Sequence, residues 1–60
     1  MKKGNIVTPT EQAKVMRGWK SDFEGQVLSI NNKKEFPIAV FIMELGRTEF
    51  FNKDELIRLD

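Results

Sequence analysis

The chain has 60 residues, no cysteine and no histidine, and its 10 basic and 9 acidic groups leave a net charge of +1. Those absences exclude a disulfide, a thiolate metal site, a cysteine nucleophile and the commonest general base, leaving carboxylates, lysines and hydroxyls for any chemistry. One small domain spanning 1–60 is expected, near the lower size limit for folding alone, because such a chain hides only about 60% of the surface it exposes when unfolded.

Met1-Lys2-Lys3 imitates the basic start of a signal peptide, but Gly4 to Thr10 is no apolar segment, and no run is long enough to span a bilayer. A cytoplasmic chain without a membrane partner is expected. Residues 1–34 hold seven basic and three acidic groups, net +4, and residues 35–60 hold three basic and six acidic, net −3. If the halves interleave in one small fold, this produces a mild dipole and no dedicated polyanion surface.

In chain order, Lys3 to Thr8 reads as a first short strand with Ile6 or Val7 pointing inward. Thr8-Pro9-Thr10-Glu11 matches a helix start, with Thr8 as N-cap, Pro9 at the first helical position and Glu11 completing a capping box; Gly18 stands where a terminating glycine belongs. The apolar positions Ala13, Val15 and Met16 make a poor amphipathic stripe, so residues 9–17 are read as a two-turn helix or as an irregular excursion with one helical turn. Either is a long connection, which Met16, Trp19 and Phe23 are expected to lay back over an open end of the sheet.

Phe23 to Ile30 is the second strand, with Gly25 at its mouth as a turn or bulge residue. Val27 and Ile30 fit the core if this strand is bulged, Leu28 and Ile30 if it is regular. Residues 31–35 form a polar turn, and Pro37 opens the third strand, where a missing N–H is tolerated.

Phe36 to Phe51 is the densest β-branched and aromatic run, and it turns back once at Leu45-Gly46. A two-residue turn there opposes Glu44 to Arg47, Met43 to Thr48, Ile42 to Glu49, Phe41 to Phe50 and Val40 to Phe51. One face then carries Ile38, Val40, Ile42 and Phe51, and the other Ala39, Phe41, Met43, Thr48 and Phe50. Asn52 with Glu55 offers a second capping pattern for a single helical or 3₁₀ turn, and Leu56, Ile57 and Leu59 a last strand able to pair beside the first and close a barrel.

The fold expected from this order is all-β: a single five-stranded barrel with a long first loop and one 3₁₀ turn before the last strand. It resembles the SH3-like small barrels. The segments Phe36-Pro37-Ile38-Ala39-Val40 and Phe51-Asn52-Lys53-Asp54-Glu55-Leu56 resemble the Tyr-Pro-Val-x-Val and Phe-x-x-Asp-Glu-Leu signatures of the small photosystem I subunit of this fold. Phe23-Glu24-Gly25-Gln26-Val27, with residues 46–59, is similar to the Trp-x-Gly-Gln-Ile and C-terminal pattern of plasmid-borne type II dihydrofolate reductases. That family works as a tetramer around a pore lined by a Val-Gln-Ile-Tyr segment, where this chain has Thr48, Glu49, Phe50 and Phe51. Both polar handles are changed, so the resemblance extends to fold and not to activity. Stand-alone barrels of this size look like small accessory proteins of bacteria or their phages.

Three surfaces are candidates for function. Trp19 lies on the long loop with Arg17 and Lys20 nearby; in SH3-like domains aromatics there line a groove for extended peptides, while a structural Trp19 is a lid over the barrel end. Phe41, Met43 and Phe50, opposite the core face, form an apolar patch for a protein partner or a second copy, unless the loop bearing Val15, Met16 and Trp19 covers them. Lys14, Arg17, Lys20, Lys33 and Lys34, with Lys2 and Lys3, offer a nucleic-acid alternative like that of KOW-type barrels, with Trp19 as a stacking platform. The close carboxylates Asp22 and Glu24, and Asp54 and Glu55, read as loop and cap and not as an acid–base pair. Glu49 shares the face of Val40 and Phe51, at a rim, beside a lysine or on a bulge. The chain is therefore read as a non-catalytic docking module with no cofactor or metal.

Overall fold

The β3–β4 hairpin contributes most of the core. In the computed structural model, which describes residues 1–60, β3 (Ile38–Ile42) and β4 (Arg47–Phe51) pair antiparallel with Ile42 opposite Arg47, Phe41 opposite Thr48, Val40 opposite Glu49, Ala39 opposite Phe50 and Ile38 opposite Phe51. This corrects the expected register by two residues. A two-residue hairpin turn needs a left-handed residue at its first central position, and Leu45 would be strained there. The chain instead turns over residues 43–46: Leu45 and Gly46 both donate to the Ile42 carbonyl, at 3.2 and 2.9 Å, and Gly46 alone takes the positive φ of 65°. A slip of two preserves the faces. Ile38, Val40, Ile42 and Phe51 are buried, while Phe41 and Phe50 stand on the other side.

The remaining strands are β1 (Ile6–Pro9), β2 (Gly25–Ile30) and β5 (Leu56–Arg58), and the five form one antiparallel sheet in the order β4-β3-β2-β1-β5. Val7, Val27, Ile38, Val40, Ile42, Phe51 and Leu56 make a single cluster drawn from all five strands, with Trp19, Phe23 and Leu45 packed against it. β5 pairs with β1 as expected, but no ladder joins β5 to β4, so the sheet is open at its hydrogen-bonded edges.

β2 is bulged. Val27 lies opposite Val40 but Ser29 opposite Ala39, leaving Leu28 as the extra residue. Val27 is core, whereas Ile30, expected inward in either reading, is 37% exposed at the strand end. Gly25 does not serve as the anticipated turn residue. It sits between Val7 and Ile42, where a Cβ would meet Val40 Cγ1 at 2.5 Å and the Phe41 carbonyl oxygen at 2.7 Å, so only glycine lets the strands approach.

The long connection contains a true helix, α1 (Glu11–Arg17), capped by Thr10 and not by Thr8: Thr10 Oγ1 accepts from the Ala13 N–H at 3.2 Å. β1 runs on through Pro9, opposite Leu56, and Thr8 Oγ1 donates to the Phe23 carbonyl at 2.7 Å, so both residues belong to the sheet. Gly18 ends the helix at φ 76°, donating to the Val15 carbonyl. A 3₁₀ turn, Lys53–Glu55, precedes β5; the Glu55 carboxylate accepts from the Asn52 N–H at 2.8 Å, as the Asn52–Glu55 spacing predicts.

Candidate interaction surface

Arg17, at the end of α1, fastens the helix to β4. Its Nη2 donates to the Phe50 carbonyl at 2.8 Å and lies 3.5 Å from Glu55 Oε1, its Nη1 lies 3.6 Å from Glu49 Oε1, and the guanidinium covers the Phe51 ring at 4.1 Å. Trp19 packs edge-on against Phe23 and Phe51, with centroid distances of 5.5 and 6.1 Å. It is a half-buried lid on the core. Glu49 occupies an unbulged inward position opposite Val40, and its partners are Arg17 and Arg47, whose Nε donates at 2.7 Å, and not a lysine.

The cations of the nucleic-acid alternative have different surroundings, Lys2 and Lys3 being exposed at the start of the chain. Lys14 is buried, its Nζ held by Asp22 and, at 2.9 Å, by Glu11; hydrogen bonds to Asp22 first and Glu11 second raise its pKa above the ordinary 10.5. Arg17 is engaged by Glu49 and Glu55 as described. Lys20, Lys33 and Lys34 are exposed, and Lys34 Nζ stands 5.8 Å from the Phe50 ring centroid. Of the close carboxylates, Asp22 is engaged by Lys14, and Glu55 by Arg17 and the Asn52 N–H.

Phe41 and Phe50 lie on the outer face of the sheet, 37% and 46% exposed, with Met43 exposed in the adjoining turn. Two rows cross this face: Gln26, Phe41 and Thr48, then Ser29, Ala39 and Phe50. The bulge turns Leu28 onto the same side, 40% exposed. The cover anticipated from the long loop is not made. Val15 and Met16 are 76% and 75% exposed, and Trp19 packs against the core on the opposite side of the sheet, which also corrects the placing of Met16 over the sheet end. Of the four residues singled out for protein binding, Phe41, Met43 and Phe50 are therefore open and Trp19 is set apart from them.

A shallow depression on the β4 side is lined by Met16, Arg17, Phe36, Glu49, Phe50 and Glu55. Leu28 and Phe36 were not among the candidate site residues. The bulge that exposes Leu28 was one of two readings of β2, and Phe36 lies in the bend before Pro37, outside the ladder that begins at Ile38. At the four positions matched to the reductase segment, Phe51 is fully buried and Glu49 is ion-paired. No three histidine, cysteine, aspartate or glutamate side chains are gathered as for a metal, and no helix is long and apolar enough to cross a membrane. Comparison with protein-family models, curated proteins and solved structures gives no match.

Proposed function

We propose that the chain is a non-catalytic protein-interaction module on the plan of an SH3-like barrel, docking through the outer face of β2, β3 and β4. The observation that carries this reading is the composition of that face. Its positions are Gln26, Leu28, Ser29, Ala39, Phe41, Thr48 and Phe50: none is charged, in a chain where 32% of residues are. Depletion of charge around exposed aromatics marks the centre of a protein interface, and a small monomer rarely leaves such a patch without a partner. Support for the barrel plan is the element order, with β5 returning beside β1 after the 3₁₀ turn.

The test is capture by the immobilised protein, compared between wild type and Phe41→Ser. The reading expects the variant to keep its circular dichroism spectrum and lose the captured partner; capture undiminished by Phe41→Ser refutes it. The nucleic-acid alternative retains Lys2, Lys3, Lys20, Lys33 and Lys34 as cations without an ion pair. It requires oligonucleotide binding that weakens steeply with salt.

A further inference from the structure

One end of the sheet gathers cations that nothing within the chain balances. Residues 2–5 form a turn held beside β2, where the Gly4 N–H donates to the Val27 carbonyl at 2.8 Å. Met1, Asn32 and Lys53 line one depression, so the start of the chain, the β2–β3 connection and the 3₁₀ turn meet there. Lys2, Lys3, Lys33, Lys34 and Lys53 are thereby placed at the same end, all of them exposed. None has a carboxylate partner, whereas Lys14, Arg17, Arg47 and Arg58 are each ion-paired, and Lys20 is the one cation elsewhere that is not. Glu35 and Asp54 are the acidic residues of this end, which leaves it at +3 and the remainder of the chain at −2, consistent with the net +1. Like charges gathered without counter-charge repel one another, and a polyanion relieves them.

We infer that this end binds single-stranded nucleic acid, with phosphates on the five lysines and bases stacked on Phe36 and Phe50. The two rings select that ligand among polyanions. Phe36, in the connection, and Phe50, on β4, are 41% and 46% exposed and line one shallow depression, with Lys34 Nζ 5.8 Å from the Phe50 centroid. Every base has a face that stacks on such a ring, so charge beside exposed rings fits an unpaired strand and not a duplex, whose bases stack on one another. An acidic peptide is held best by arginine forks. Arg17, which borders the rings, is already engaged by Glu49, Glu55 and the Phe50 carbonyl, and the same ion pairs occupy the two carboxylates of that depression. The site goes beyond the docking reading and meets the docking face at Phe50.

Fluorescence anisotropy of a labelled oligothymidylate titrated with the full chain tests it. Each phosphate held contributes about −0.7 to the slope of log affinity against log salt, so five lysines give about −3.5. Replacing two exposed turn residues together, Lys33→Gln and Lys34→Gln, brings the slope to about −2.1, while Lys20→Gln leaves it unchanged. An abasic strand of the same length binds the wild type about tenfold more weakly, because it lacks the bases that stack. Phe41→Ser leaves oligonucleotide binding intact, which separates this site from the docking face. The proposal is overturned by an absence of binding at low salt, by a slope that the folded double variant retains, or by an abasic strand or a duplex that binds as tightly as the oligothymidylate. Anionic phosphatidylglycerol vesicles that displace the oligonucleotide at equal phosphate concentration overturn it as well. Should the double variant fail to fold, the comparison of abasic strand and oligothymidylate on the wild type decides.

Discussion

Single residues show where small geometric facts set the tolerance of this fold. At Gly25 the atom nearest an added Cβ is the tip of Val40, which can shift, but the next is the Phe41 carbonyl oxygen at 2.7 Å, which is fixed in the ladder. Gly25→Ala should therefore cost about 2–3 kcal/mol, read as a lowered urea midpoint with an unchanged slope. Lys14 gives a pH-dependent prediction. Its pKa is raised in the folded chain by Asp22 and Glu11, so the folded state binds its proton more tightly than the unfolded state. Its contribution to stability is thus fully present below the ordinary lysine value of 10.5 and is lost as pH rises through the higher folded value. Thermal melts of wild type and Lys14→Met should converge across that alkaline window and differ by a constant amount below it. A difference that grows with rising pH would contradict the assignment.

At the scale of elements, what was legible in the sequence and what was not divide along physical lines. The two faces of the β3–β4 hairpin were legible because alternation survives any even slip, whereas the register depended on turn chemistry at Leu45, which hydrophobic pattern does not encode. The capping residues of α1 were visible but their roles were not. Thr8-Pro9 satisfies the rules for a helix start, yet pairing with β5 extends β1 through Pro9 and passes the cap to Thr10. Thr10→Ala is accordingly expected to cost about 1 kcal/mol, a fall in melting temperature of roughly 4–8 °C in so small a domain. A loss much below that would mean that packing, not the cap, holds α1. A covering role for Val15 and Met16 was one of two alternatives open to these apolar residues, but α1 turns Ala13 and the stem of Lys14 towards the body of the protein, leaving them in solvent. Of the candidate site, Phe41 and Phe50 were legible from alternation. Leu28 was legible only in the bulged of the two readings of β2, because alternation by itself does not place a bulge.

For the whole molecule, everything depends on which side of the sheet is dry. The core cluster is only seven residues, so the chain has little stability to lose, and a small single core rarely supplies more than about 3–5 kcal/mol. Phe50 and Phe51 are adjacent in sequence and chemically identical, but Phe51 is fully buried and Phe50 is 46% exposed. Truncating Phe51 removes a ring that packs against Trp19 and carries Arg17, at a cost of about 3–5 kcal/mol, enough to unfold the domain. Truncating Phe50 removes a ring in contact with solvent and with Lys34, and the Phe50 carbonyl that anchors Arg17 is backbone and stays. Phe50→Ala should therefore keep a cooperative melt within a few degrees of wild type, while Phe51→Ala shows none at room temperature. The reverse result would turn the sheet inside out, place Phe41 in the interior with Phe50, and remove the uncharged outer face on which partner docking rests.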